Sequence, residues 1–124
     1  MEELFEHAKV TRWRGMLDEP TFQSRRRNPS CGDEISLQVF LSQGIIEDCK
    51  FEGRGCFISQ AGASLLCSRI HGRSILQLRA QQPEELLGFD LAELTLRRRE
   101  CALMGFHAMQ DILNQSAELI SLDS

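Results

Sequence analysis

An alternating run between residues 35 and 42 constrains the fold more than any other part of the chain. Its apolar members stand at every second position: Ile35, Leu37, Val39 and Leu41. Side chains of a β-strand point alternately to opposite faces, so the run predicts a strand with one buried face. Ser42-Gln43-Gly44 predicts a turn, and residues 45–52 predict a second strand. We therefore expect an antiparallel hairpin.

Helices are predicted on both sides of this hairpin. The predicted segments are a helix over residues 2–14, a loop over 15–29, a helix over 59–71, a helix beginning at Pro83 and a long amphipathic helix over 99–119. The last helix carries its apolar residues on one stripe: Ala102, Leu103, Phe106, Met109, Leu113 and Ile120. Helices around a hairpin, with a third short strand, indicate the α+β class. The length of 124 residues suits a single domain over residues 1–124.

Charge and hydropathy argue against several classes of function. The net charge of −4 argues against nucleic acid as the main partner. No apolar run approaches the about 20 residues that span a bilayer. The acidic N-terminal segment lacks the pattern of a signal peptide, so a cytoplasmic protein is expected. Two arginine triplets, Arg25–Arg27 and Arg97–Arg99, are each either a solvated segment or a docking patch for an acidic protein surface.

The cysteines fall into two groups by their predicted surroundings. An odd count of five, without an export signal, argues against disulfides. Cys67 lies in the middle of a predicted helix and Cys49 within a strand, and both are interpreted as structural. Cys31, Cys56 and Cys101 lie instead at the boundaries of predicted elements. A helix N-terminus stabilises a thiolate, so Cys56 and Cys101 are predicted to be reactive thiols in the first turns of helices.

A carboxylate accompanies these boundary cysteines, because Asp33 follows Cys31 by two positions. Together with Cys56 and Cys101 they form a set of donors that a tetrahedral zinc ion accepts. The chain has no C-x-x-C knuckle, however, and none of His7, His71 and His107 has ligand spacing with a cysteine. The spacing alone therefore leaves metal ligation, catalysis and core packing all open.

The same residues carry a resemblance to a known family. Asn28-Pro-Ser-Cys-Gly-Asp33 resembles the N-P-x-C-G-D segment of the U-type iron–sulfur assembly proteins, which include SufU, IscU and the N-terminal domain of NifU. Phe51-Glu-Gly-Arg-Gly-Cys-Phe-Ile-Ser59 resembles their F-x-G-x-G-C-x-I-S segment, and Arg98-Arg-Glu-Cys-Ala102 resembles their R-x-x-C-A segment. The three segments follow one another in the family's order.

The resemblance implies a SufE/NifU-like fold in which a small three-stranded antiparallel sheet packs against helices. It implies that Cys31, Asp33, Cys56 and Cys101 bind zinc or iron, that a cysteine desulfurase is the partner, and that Arg98 contacts this partner. Glu100 stands where IscU-type proteins have a histidine, and Arg98 is typical of the SufU type. The segment between Cys56 and Cys101 has no room for the insertion that SufU proteins carry, so the chain resembles a compact SufU-like member.

The resemblance implies two mechanisms. In sulfur transfer, zinc holds the site, and Cys31 is released to accept a persulfide sulfur from the desulfurase. In the scaffold mechanism, the four residues hold a transient [2Fe–2S] cluster that passes to apo-proteins, and Cys101 is the alternative persulfide acceptor. A structural zinc module, an RNA-binding protein and an independent thiol enzyme are the other classes considered. The net charge argues against an RNA-binding protein, and the lack of a nearby histidine base argues against an independent thiol enzyme.

Overall fold

The computed structural model describes residues 1–30 and 32–123, with side chains described up to residue 117. Three antiparallel strands form one sheet in the order β1 (Phe22–Arg27), β2 (Glu34–Ser42) and β3 (Ile45–Arg54). The helices are α1 (Glu2–Glu6), α2 (Phe57–Ile70), α3 (Ile75–Arg79), α4 (Pro83–Leu87), α5 (Leu96–Ala102) and α6 (Met104–Asp123), with 3-10 helices at His7–Lys9 and Leu91–Glu93. This architecture confirms the α+β class and the three-stranded sheet.

The alternating run forms a half-buried strand, as predicted, and this strand is the central one of the sheet. Ile35, Leu37 and Val39 of β2 expose no surface, because their side chains point into the layer of helices. Helices α2 and α6 cover this face. The two ends of the hairpin differ: the β2–β3 turn lies at residues 42–45, whereas the connection from β1 to β2 lies at the opposite end. The latter connection contains the first of the cysteine motifs.

Strand β1 was missed, because the segment over residues 15–29 was interpreted as a loop. This edge strand buries little apolar surface, so its sequence lacks the alternation that marks β2. Tertiary contacts hold it instead: Arg26 donates two hydrogen bonds of 2.7 Å to Asp111 of α6, and Ser24 donates one of 2.9 Å to the same carboxylate. The bond from Arg26 lowers the pKa of Asp111. Part of the first arginine triplet therefore joins the sheet to α6.

Helix α2 lies at the centre of the molecule and contacts the sheet, α1, α4, α5 and α6. Its small residues allow a close approach to the C-terminal segment. A Cβ atom on Gly62 would overlap the backbone of Ala102, and one on Gly105 would lie 3.0 Å from the Cα of Ala63. This backbone-to-backbone packing places the end of α5 beside the first turns of α2.

Two predicted helix boundaries were wrong. The first helix ends at Glu6 and continues only as a 3-10 turn, so the predicted extension to Arg14 does not form. The predicted last helix is interrupted at Leu103, which separates α5 from α6. Its apolar stripe is confirmed up to Leu113, whereas the side chain of Ile120 lies outside the described part. Within the described ranges, none of the helices combines the length and apolar character that crossing a bilayer requires.

His7 links the N-terminal segment to the central helix and gives the fold a pH dependence. Its Nδ1 lies 2.8 Å from the Oγ of buried Ser64, and burial lowers its pKa from the ordinary value of 6.5. The unfolded chain therefore binds this proton more readily than the folded chain. We expect the free energy of unfolding to decrease as the pH falls below about 6.5.

The variant His7→Gln should flatten this part of the stability curve, which urea unfolding at a series of pH values measures. His107, which lies on α6 and contacts Gln110, provides the matched control. If His107→Gln removed the pH dependence and His7→Gln left it unchanged, His7 would not be its source.

Candidate metal centre

The turn between β1 and β2 positions the first candidate ligand. The backbone N–H of Asn28 donates to the carbonyl of Asp33 at 2.8 Å, and the N–H of Gly32 donates to the carbonyl of Asn28 at 2.7 Å. The side chain of Asn28 accepts a further bond from the N–H of Ser30. These bonds close the turn at the end of the sheet, and Asp33 is buried there. Cys31, which belongs to this turn by sequence, lies outside the described residues.

The turn from β3 to α2 contacts this aspartate directly. Gly55 has a φ of 117°, in the region that disfavours side chains, and a Cβ atom there would overlap the carboxylate of Asp33. The backbone N–H of Cys56 donates to Oδ1 of Asp33 at 3.1 Å. The glycine therefore allows the two motifs to meet, and the aspartate joins them.

Cys56 is the N-cap residue of α2, which confirms its predicted position at a helix N-terminus, although the helix begins at Phe57 and not at residue 59. Ser59 donates a hydrogen bond of 2.9 Å to the carbonyl of Cys56, and the thiol of Cys56 lies 3.8 Å from the Oγ of Ser59. Cys56 is exposed to solvent. The sulfur of Cys56 is therefore accessible at the N-terminus of α2.

Cys101 occupies a different position from the predicted one. It lies near the end of the short helix α5 and not in the first turn of the last helix, so it is not at the helix N-terminus that the prediction required. Its surroundings provide another contact: the thiol donates to Oδ2 of Asp33 at 3.5 Å. The residue is buried. Asp33 therefore joins the other two motifs: its Oδ1 accepts from the backbone of Cys56, and its Oδ2 accepts from the thiol of Cys101.

The structure thus brings together three of the four predicted ligands. One donor atom of each of Asp33, Cys56 and Cys101 lies within 4.8 Å of the others, although the residues come from three distant segments. Two sulfurs and one carboxylate oxygen are donors that zinc accepts, and sulfur donors also suit iron–sulfur clusters. The donor set therefore fits a tetrahedral metal site with one further ligand, and Cys31 is the sequence candidate for that position.

Two of the five cysteines, Cys49 and Cys67, lie outside this cluster. Cys49 and Cys67 are fully buried, and the thiol of Cys49 lies 3.5 Å from the carbonyl of Cys67. The contact with Cys49 and burial raise the pKa of Cys67 well above its ordinary value, so this thiol stays protonated. Their interpretation as structural cysteines agrees with this packing. Arg98 and Glu100 are both exposed on α5.

Sequence reasoning did not identify some residues that shape the site. Ser59 binds the backbone of Cys56, and Gly62 sets the distance between α2 and the end of α5. The spacing Cys56-x-x-Ser59 is a sequence signal for the contact of Ser59, because a hydroxyl at the third helical position commonly binds the N-cap residue. The role of Gly62 depends on a contact that is distant in sequence, and no local signal indicates it.

The motifs and this geometry agree with a comparison to known families. The family of the NifU-like N-terminal domain matches residues 1–117. The chain belongs to this NifU-like family. The match extends over the N-terminal helix, the sheet and the segments that carry Asp33, Cys56 and Cys101.

Curated relatives of this NifU-like chain carry two different names. It is 43% identical over 77 residues to the iron–sulfur cluster assembly scaffold protein IscU of Thermotoga maritima, which covers 62% of this chain and 54% of that protein. It is 42% identical over 72 residues to the zinc-dependent sulfurtransferase SufU of Bacillus subtilis. That match covers 58% of this chain and 48% of SufU. The match thus spans about half the length of each of these relatives. IscU of Streptococcus pyogenes is 30% identical over 129 residues, covering 90% of this chain and 80% of that protein.

Solved structures share the fold. A putative iron–sulfur cluster assembly scaffold protein for the SUF system from Fervidobacterium islandicum has a TM-score of 0.75 and 26% identity, covering 91% of this chain and 95% of that one. The N-terminal part of a nitrogen-fixing NifU-like protein from Brucella abortus has a TM-score of 0.74, covering 95% and 94%. Its 19% identity supports the fold alone.

Proposed function

We propose that this chain accepts and transfers sulfur in iron–sulfur cluster assembly. The observation that carries the proposal is the convergence of Asp33, Cys56 and Cys101 within 4.8 Å. Three segments far apart in sequence meet there, at the end of the sheet that also contains the turn of Cys31. Asp33 is buried there between the backbone N–H of Cys56 and the thiol of Cys101. A relative named as a zinc-dependent sulfurtransferase supports the same proposal.

The reacting group in this proposal is the thiolate of Cys31. It attacks the terminal sulfur of a persulfide on the donor protein, a new S–S bond forms on Cys31, and the donor's S–S bond breaks to leave a thiolate. The donor thiolate is the leaving group, so no external oxidant or reductant is needed. Cys101 is the alternative acceptor. Asp33 orients the backbone of Cys56 and contacts the thiol of Cys101, which keeps both sulfurs at the site.

Zinc is the resident metal that we assign to this site, with Cys31, Asp33, Cys56 and Cys101 as its ligands. Bound there, zinc would keep the sulfurs deprotonated and limit their reactivity until a partner is present. The protein's own contribution is geometric. Gly55 and Gly62 let the three segments approach, and the hydrogen bond from Cys56 to Asp33 holds the carboxylate in place.

The proposed sulfur donor is a cysteine desulfurase, and apo forms of iron–sulfur proteins are the proposed final acceptors. Arg98 is exposed on α5, in the helix that carries Cys101, where a partner at the metal centre can contact it. We place the reaction in the cytoplasm, where thiols remain reduced. The first arginine triplet has a smaller role in docking than the sequence suggested, since Arg26 is bound to Asp111.

Metal analysis after purification in air tests this proposal. We expect about one zinc per chain, no visible absorption, and a loss of zinc in Asp33→Ala. Asp18→Ala is the matched control, because Asp18 is an exposed carboxylate away from the cluster. Unchanged zinc affinity in Asp33→Ala would show that this residue is not a ligand.

A scaffold function is the second candidate, and one observation favours it. Two relatives are named as IscU scaffold proteins, one that matches 62% of this chain and one that matches 90%. In this case the [2Fe–2S] cluster is the cargo, and a carboxylate ligand holds iron less firmly than a thiolate does. Iron, sulfide and visible absorption in the purified protein would support the scaffold and overturn sulfur transfer with zinc. Asp33→Ala would then lengthen the lifetime of the cluster.

A further inference from the structure

We propose that Phe57, supported by Phe5, anchors the protein that delivers sulfur to this site. The inference rests on the proposed function, because it concerns the partner of the same metal centre. It assigns to that partner an apolar pocket with a carboxylate rim. Neither aromatic ring belongs to a candidate ligand, and the proposed mechanism gives neither ring a role.

The two rings form an exposed aromatic pair at the start of α2. Phe57 is the first residue of the helix and has 56% of its surface exposed, and Phe5 of α1 has 38% exposed. Their ring centroids lie 6.1 Å apart at an angle of 41°. By contrast, Phe51 of β3 is fully buried and Phe106 nearly so. Phe40 of β2 is also 40% exposed, but Phe57 and Phe5 are the exposed phenylalanines whose rings contact each other in the described part of the chain.

The position of the pair identifies its occupant. Phe57 is bonded directly to Cys56, whose side chain is one of the clustered sulfur donors. A protein that brings a persulfide to this cluster must approach the exposed side of Cys56, and its surface then covers Phe57. The same approach excludes water from the rings, which is the source of binding energy for an aromatic anchor.

The charge near the pair indicates the rim of the partner's pocket. Arg54, two positions before Cys56, has 84% of its side chain exposed, and its ion pair with Glu34 leaves donors free for further contacts. Arg98 is also exposed, on the helix that carries Cys101. The exposed carboxylates of α1, Glu2, Glu3 and Glu6, lie instead on the helix of Phe5. The two guanidinium groups belong to the segments of Cys56 and Cys101, so they are complementary to carboxylates of a partner on the side of the metal centre. The partner surface is therefore apolar in the centre and acidic at the edge that faces the metal centre.

Binding of Phe57→Ser to the cysteine desulfurases of the source genome tests the inference by calorimetry. We expect the dissociation constant to rise by about tenfold or more, because aromatic anchors carry much of the energy of an interface. Leu76→Ser is the matched control, since Leu76 is 73% exposed on α3 and should leave binding unchanged. Zinc content should stay the same in both variants, because neither side chain belongs to the cluster.

The possible outcomes separate the two proposals. If the wild-type chain binds a desulfurase and Phe57→Ser binds it equally well, the aromatic anchor is wrong while the proposed function stands. If Leu76→Ser weakens binding instead, the docking surface lies elsewhere. If the wild-type chain binds none of these desulfurases, the partner and the anchor are both overturned. Binding that does not weaken as ionic strength rises would overturn the acidic rim.

Discussion

Cys101→Ser should release the metal from the purified protein while leaving the fold intact. Cys101 is buried and contacts Asp33, so a hydroxyl of similar size can keep this contact but is a much poorer ligand for a soft metal. Loss of a supporting contact alone costs about 10- to 100-fold in metal affinity, and loss of a ligand should exceed that. Competition with a chromophoric chelator measures the affinity, and circular dichroism monitors the fold.

Cys67→Ser is the matched control for this experiment. Cys67 is also a buried thiol, but it contacts Cys49 in the core and not the cluster of Asp33. We expect its replacement to lower the free energy of unfolding by about 1–3 kcal/mol, since it introduces a hydroxyl into an apolar site. Metal affinity should remain that of the wild type. Equal loss of metal in both variants would mean that Cys101 acts through stability rather than as a ligand.

Gly55→Ala should remove the site by a different route, without changing any ligand. The added Cβ would occupy the position of the Asp33 carboxylate, so either the aspartate or the turn before Cys56 must move. The φ of 117° adds backbone strain of about 1–3 kcal/mol. We expect a fall in the free energy of unfolding of at least this size, together with loss of metal. Urea unfolding and zinc analysis measure the two effects.

Gly15→Ala separates the effect of backbone strain from the effect of the overlap with Asp33. Gly15 has a φ of 128°, similar to that of Gly55, yet nothing lies within 4 Å of a Cβ atom added there. This variant should show the backbone strain without loss of metal. If it lost metal as Gly55→Ala does, the contact with Asp33 would not be the reason that a glycine precedes Cys56.

The central hairpin could be predicted from sequence, whereas the edge strand could not. Burial on one face imposes alternation on β2, and alternation is a local signal. Strand β1 buries little, and it is held by backbone pairing with β2 and by the bonds from Arg26 and Ser24 to Asp111. Asp111 is distant in sequence, so the segment itself shows only arginines and polar residues, which are equally typical of a loop.

The candidate site was predicted through its motifs, not through its spacing. Local patterns placed Cys56 correctly at a helix N-terminus, because the glycine turn before it is a boundary signal. They misplaced Cys101, since the apolar stripe continues through Leu103 and hides the interruption between α5 and α6. The convergence of the ligands depends on contacts between distant segments. Only the family resemblance, which reflects a whole fold, contained that information.

The contact between Gly62 and Ala102 has a consequence for the size of whatever the centre holds. Because main chain rests on main chain there, the α-carbons of Cys56 and Cys101 keep a constant separation that side-chain replacements elsewhere in α5 leave unchanged. Rotation about the Cα–Cβ bonds is then the adjustable part of these two ligands. A single ion and a two-iron cargo differ in diameter, so the side chains of Cys56 and Cys101 must differ in rotamer between the two.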